Sequence, residues 1–421
     1  MLGAISLTAA DVAGKSVAFV ITPYLANRMG AAGFGALTLY TSVTQILVYF
    51  ISLGGPALIA AEYIRSGYTS ARRMRAASLR LSLWIAVVLL LASLLVSWCA
   101  PSAVPLSVGV LIVAVSYVSA LSAFELAYYR GSQIYGIAIV GQLAVAVLNV
   151  LLTVAAFEFD SPSAANRLLS IALAGGVVQL GYALDLRRKH YEPADKKTRR
   201  ADISLNINFG LSIFPHAASV WVRSSVDRFV LAGFTSIATA GIYSVGVSLA
   251  MAANLVFVTV NQQLQPFLYR RLKDGAFADF QRLQRRFIGL ILISTSFYYL
   301  LLLAVFDVLF DSEYYAVKAL LPALLAASAL QSMYHVFSHA PFYERRGLLI
   351  SFVTAGGLVV HLLGLGALEV FNQLTPGHVA LVSLVSTGST AFGMTILSHR
   401  TVRQLRLAGL ESAQKKDSKL P

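Results

Sequence analysis

The apolar residues of this 421-residue chain fall into twelve blocks, each about the twenty residues needed to cross a hydrocarbon core of about 30 Å. They cover 4–26, 34–60, 76–98, 104–127, 135–157, 166–186, 203–232, 236–262, 286–310, 314–340, 348–370 and 377–399. Lipid offers no partner for a free backbone amide or carbonyl, so each block is expected to be a helix. Charged residues make up only 12% of the chain, against about 25% in a soluble domain. That excludes the two or three globular domains this length would otherwise allow. Met1–Ala10 has no basic n-region and no cleavage site ahead of Asp11 and Lys15, so the first span is expected to remain in the mature protein. The single cysteine, Cys99, excludes an intrachain disulfide and a cysteine-based metal cluster.

A net charge of +14 would suggest nucleic acid in a soluble chain. Here the basic residues lie in short segments between apolar blocks, so bilayer orientation explains them and no nucleic-acid partner is expected. Loops after even-numbered spans, with the C-terminal tail, carry 27 Lys and Arg. The other side has only Arg28, Arg167 and Lys318, and carries Glu158, Asp160, Asp307, Asp311, Glu313 and Glu369. By the positive-inside rule both termini are expected in the cytoplasm, and the protein in the cytoplasmic (inner) membrane. The fold class is therefore an all-α integral membrane protein, with about 12 transmembrane helices in two six-helix lobes. The hydrophilic segment 187–202 marks the division: residues 1–186 form the first lobe, 187–202 a basic linker, 203–399 the second lobe and 400–421 a basic tail. Ala32–Tyr40 (AGFGALTLY) and Ala240–Val245 (AGIYSV) occupy matching places in the two halves, a parallel repeat of the kind transporters use.

Outer loops of about ten residues or fewer leave little room for an external catalytic site. The chain has no GxxxxGK[ST], no GxGxxG after a strand and no HExxH. His335 and His339 are spaced to share a metal, but a third ligand is not evident and Gln331 on the same face suggests a polar stripe. No enzyme activity, metal or cofactor is expected.

Charges at membrane depth are costly unless paired or facing water, so each is a functional candidate. Asp11 and Lys15 lie one turn apart in span one, on a face shared with Thr8 and Thr22. This pair either lines a lumen or neutralises itself. In span seven Ser212, His216, Ser219, Arg223 and Asp227 follow at intervals of three or four, with Arg228 alongside and Pro215 loosening the helix. Arg223 and Arg228, with Lys15 and His216, could receive an anionic head group, because a guanidinium grips a phosphate with two prongs. Alternatively, Asp227 neutralises the arginines and locks the helix to its neighbours. Glu125 is expected to pair with Arg130, or to serve as a protonatable coupling site. Gln142 and Asn149 in span five, and Asn254 and Asn261 in span eight, either line a polar lumen or cement helix pairs.

Ile21–Tyr40 (ITPYLANRMGAAGFGALTLY) and Leu53–Gly67 (LGGPALIAAEYIRSG) resemble the opening of bacterial lipid-linked oligosaccharide flippases and polysaccharide exporters. These belong to the multidrug and oligosaccharidyl-lipid exporter superfamily. Ser225–Gly233 (SVDRFVLAG) with Ala240–Val245 resembles the start of that family's second half, and Gln265–Arg271 (QPFLYRR) its exit from span eight. The resemblance implies two six-helix bundles around a cationic cavity that moves a polyprenyl-pyrophosphate-linked oligosaccharide outward by alternating access. Only Asp227 and Arg228 fall on a recognisable motif of the family; Arg223 and the Asp11/Lys15 pair are read from helical faces. Lys15 stands alone among the first half's spans, which leaves open how cationic the cavity is. Expected partners are the lipid-linked oligosaccharide, membrane lipid and other polysaccharide assembly proteins, with a monomer as the default. The cycle would run on a proton or sodium gradient, with Asp11 as the first coupling carboxylate, or on removal of product outside. Alternatives are an ion-coupled drug or small-solute exporter of the same fold, a twelve-span facilitator of another fold, a membrane-embedded glycan polymerase, and a silent scaffold of an assembly complex.

Overall fold

The apolar blocks are predominantly helical where the structure describes them, as the lack of backbone partners in lipid requires, although 34–60 is broken by a turn at Leu53–Gly54. The computed structural model describes residues 10, 12–14, 16–17, 19–99, 105–187 and 196–417, leaving out the side chains of residues 64, 186, 187, 196, 216, 263, 266 and 408–417. After the partly described first segment come α1 (Thr22–Ser52), α2 (Gly55–Cys99), α3 (Leu106–Gly131), α4 (Tyr135–Phe159), α5 (Ala164–Arg187) and α6 (Lys196–Phe234). Then follow α7 (Ile237–Lys273), α8 (Phe277–Leu309), a 3₁₀ turn (Ser312–Tyr314), α9 (Val317–Tyr343), α10 (Gly347–Val370) and α11 (Pro376–Asp417). Ten of the described helices are long and apolar enough to cross a membrane. The two remaining expected spans are the first segment and α6, which carries Arg223, Asp227 and Arg228.

Two glycines break what would otherwise be continuous rods. Gly30 (φ 67°, ψ 171°) in α1 and Gly67 (φ 79°, ψ −171°) in α2 hold a backbone conformation open essentially to glycine alone. Gly30 is thereby the turn between the first and second expected spans. Gly67 interrupts the basic stretch 61–75, expected as a loop, which is helical on both sides. The Arg and Ala residues there are strong helix formers in water as well as in lipid. For the same reason α11 runs on to Asp417, well past the expected end near 399. At the start of α7, Ser236 Oγ accepts the Thr239 amide hydrogen (3.0 Å), an N-cap that satisfies a donor the helix cannot.

Contacts divide the chain into two compact units, Met1–Phe229 and Val230–Pro421. In the first, α3 packs against α1, α2 and α5. Phe124, Tyr128 and Tyr129 of α3 meet Ile59 and Met74 of α2, Ala138 of α4 and Tyr182 of α5. In the second, α9 packs against α7, α8 and α11, around Phe257, Phe287, Ile291 and Val336. Lipid tails are as apolar as these side chains, so close packing and interhelical hydrogen bonds, rather than escape from water, hold such bundles together. Large apolar side chains such as Trp84, Phe297 and Phe352 are exposed, as a lipid-facing surface requires.

Residues 203–229, assigned from sequence to the second lobe, make contacts within the first unit. Asn206 Nδ2 donates to Ser78 Oγ (2.6 Å), and the Phe214 ring lies 4.3 Å from that of Phe50. Just before them, Arg73 Nε donates to Asp202 Oδ2 (2.8 Å). Gly210 lies against the turn between α1 and α2, where a β-carbon would sit 2.4 Å from the Leu53 carbonyl oxygen.

Candidate functional site

The polar face read in span seven lies on α6. Ser212 and Ser219 are exposed, and their hydroxyls donate to the Phe209 and Pro215 carbonyls (2.7 and 2.8 Å). Farther along, Arg223 is half-buried, while Asp227 and Arg228 are buried. Trp221 Nε1 donates to the Ser42 carbonyl (2.7 Å), and Arg228 Nη1 to Ser42 Oγ (3.3 Å). Two side chains of α6 thus converge on one residue of α1. Of the two arginines, Arg228 braces α6 against α1 and Arg223 is the more exposed. Asp11, Lys15 and the side chain of His216 lie outside the described residues.

Glu125 takes a partner the sequence did not suggest. Its carboxylate receives the Nε–Nη2 edge of Arg75 from α2, with Nε to Oε2 at 2.9 Å and Nη2 to Oε1. Arg130, the expected partner, is exposed at the end of α3, while Glu125 turns into the bundle and is 2% exposed. The Arg75 guanidinium also lies 5.6 Å from the Tyr128 ring centre, and Tyr129 Oη donates to Asp185 Oδ2 (2.8 Å). This ionic and aromatic cluster ties α2, α3 and α5 together.

The amides divide in the same way. Asn149 accepts from Arg167 of α5, and Gln142 lies beside Gly14 of the first segment. In the second unit Asn254 Nδ2 donates to the Ser328 carbonyl and Ser332 Oγ (3.4 and 3.5 Å). His339 Nε2 pairs with Asn261 Oδ1 (2.9 Å). Both asparagines therefore join α7 to α9. The two imidazoles have different partners, since His335 meets Gln331 (3.3 Å). Among the described residues, no three His, Cys, Asp or Glu side chains are grouped to hold a metal.

A family model described as "Polysaccharide biosynthesis protein" matches residues 2–270, more than half of the chain. The chain belongs to that family. An uncharacterized membrane protein of Haemophilus influenzae is 22% identical over 363 residues, 85% of this chain and 87% of the relative. Among solved structures, a transporter of the multidrug and oligosaccharidyl-lipid exporter (MOP) superfamily from Pyrococcus furiosus matches with TM-score 0.67 and 15% identity, covering 96% of each chain. An inward-facing multidrug resistance transporter of the MATE family in that superfamily also gives 0.67 at 15% identity, over 92% of this chain and 95% of its own. This member of the polysaccharide biosynthesis protein family is thus a multi-pass membrane protein with the MOP transporter fold.

Sequence reasoning missed two residues in this family member. Arg75 was counted only as a loop cation, because no periodicity carries across from α2 to α3. Arg167 was counted as an outer-loop cation, yet it is 6% exposed and donates to Thr153 Oγ1 (2.6 Å). Its place at the start of span six, beyond the acidic loop, is the available signal.

Proposed function

We propose that the protein is a flippase that carries a polyprenyl-pyrophosphate-linked oligosaccharide outward across the cytoplasmic membrane by alternating access. Membership of a polysaccharide biosynthesis family in a chain with the MOP transporter fold supports this reading. The observation that carries the site is Arg223, a permanent cation half-buried on a polar face of the helix that Trp221 and Arg228 fasten to α1. Such a group suits the pyrophosphate or an acidic sugar. A polar path is needed because drawing a glycan through hydrocarbon would strip its hydrogen bonds. Lys15 and His216 are further head-group contacts, and Asp11 is the coupling carboxylate for a proton or sodium gradient.

The test is complementation of a flippase-null strain that makes a defined surface glycan. Wild type is expected to restore the glycan, and Arg223→Ala to abolish it at equal membrane abundance. Full activity of Arg223→Ala would return that arginine to a structural role. If transport is insensitive to pH and Asp11→Asn is fully active, proton coupling through Asp11 is wrong.

A second reading has its own support. Solved structures sharing the fold include multidrug resistance transporters, so drug export is the competing function. Expression that raises resistance to cationic drugs without restoring any glycan would favour it.

A further inference from the structure

Arg167 is a buried charge without a counter-charge among the described residues. It lies in the first turn of α5 and is 6% exposed. Its two hydrogen bonds both leave from Nη1, to Thr153 Oγ1 (2.6 Å) and Asn149 Oδ1, both neutral oxygens of α4. The carboxylates close to it in sequence are engaged elsewhere. Glu158 receives Arg28 Nη2 (2.7 Å) and Tyr24 Oη (3.1 Å), and Asp160 accepts from Asn166 Nδ2 (2.9 Å). No ion pair to Arg167 exists among the described residues.

Three effects raise the potential at this one place. A guanidinium cannot shed its proton. Burial removes the water that would screen it, which is tolerated only with a compensating partner. The first turn of a helix adds the positive end of its dipole, where a cation is disfavoured and an anion favoured. The Nε–Nη2 edge makes no hydrogen bond to the described residues, and it presents the parallel pair of N–H groups that fits an oxyanion. Asn149 Nδ2 adds two donors alongside.

We propose that Arg167, Asn149 and Thr153 form an oxyanion subsite in the first unit, separate from Arg223. Resting on the proposed function, the oxyanion is a phosphate of the transported head group. The Lys and Arg count puts the loop before α5 outside, so this subsite serves the release side. Arg167 faces α4 rather than lipid, which favours the cargo over a bilayer head group as the source of the phosphate.

The test uses the full-length protein in phosphatidylcholine nanodiscs with inorganic pyrophosphate as the probe, read by calorimetry and by thermal unfolding. Wild type is expected to bind, and Arg167→Gln to bind at least about tenfold more weakly, the effect of losing a charged hydrogen-bonding partner. Arg28→Gln, in an exposed pair, is expected to bind like wild type. If Arg167→Gln does not accumulate, Asn149→Asp supplies the missing carboxylate within the fold. It is expected to unfold at a higher temperature than wild type and to lose pyrophosphate binding. Equal binding by wild type and Asn149→Asp would overturn the subsite, as would no binding by wild type. Competition by phosphatidylglycerol nanodiscs would reassign the phosphate to bilayer lipid and overturn the cargo assignment. Complementation run in parallel separates the two proposals. Glycan export by wild type with no pyrophosphate effect removes the subsite alone, whereas pyrophosphate binding without glycan rescue counts against the function.

Discussion

At the scale of the residue, burial decides what each charge is worth. Arg75–Glu125 has side-chain exposures of 13% and 3%, whereas Arg28–Glu158 has 43% and 52%. Removing one member of a buried pair leaves the other uncompensated, so Glu125→Ala is expected to destabilise the first unit by about 3–5 kcal/mol. Replacing both Arg75 and Glu125 with apolar residues of similar volume is expected to recover most of that loss. Glu158→Gln should stay within about 1 kcal/mol of wild type. Reversible unfolding in detergent, scored by protection of the native fold, would measure all three, and equal effects of Glu125→Ala and Glu158→Gln would refute the ranking. The sequence exposed Glu125 as a membrane-depth carboxylate but not its partner. A helical face can be read from spacing along one strand of sequence, whereas which neighbouring helix meets that face depends on tertiary packing. Asn254 and Asn261 show the same limit: both stand on one readable face, and only the approach of α9 reveals that they hold two helices together.

At the scale of the element, helix interiors were legible and helix ends were not. Long apolar runs leave the backbone little alternative, so most of the described spans are helical where expected, the exception being 34–60, which turns at Leu53–Gly54. Outside lipid that constraint lapses, and residues 61–75, on either side of Gly67, and 400–417 stay helical through propensity together with packing of residues such as Met74 and Val402. Glycine does two different jobs in these elements. No atom lies within 4 Å of a β-carbon placed on Gly67, so Gly67→Ala suffers only from its backbone conformation, at about 1–3 kcal/mol. Gly210 is helical but lies against Leu53, so Gly210→Ala must push α6 away from the turn between α1 and α2. Proteolysis of folded protein is expected to separate them. Gly210→Ala should expose α6 to cleavage, while Gly67→Ala should lower the unfolding temperature with little new cleavage there. Identical digestion patterns would argue against the close approach at Leu53.

At the scale of the whole molecule, the Lys and Arg count makes a statement about sidedness that one atom can check. Cys99 ends α2, is exposed and is the single cysteine of the chain. If the basic loops are cytoplasmic, a membrane-impermeant maleimide should label Cys99 in intact cells and fail to label Cys99→Ser. Labelling only after the membrane is opened would invert the topology. Composition, which marks where a chain leaves the membrane, puts the division at the hydrophilic break 187–202, whereas the two compact units divide after Phe229. Composition could not reveal where residues 203–229 would pack, since that depends on Asn206, Phe214, Trp221 and Arg228 finding partners on α1 and α2. This placement bears on how the gene could be cut. A split within 188–195 would put α6 on the second fragment while its docking groove stays on the first, so the two pieces, made separately in one cell, would each carry half of a plug and socket.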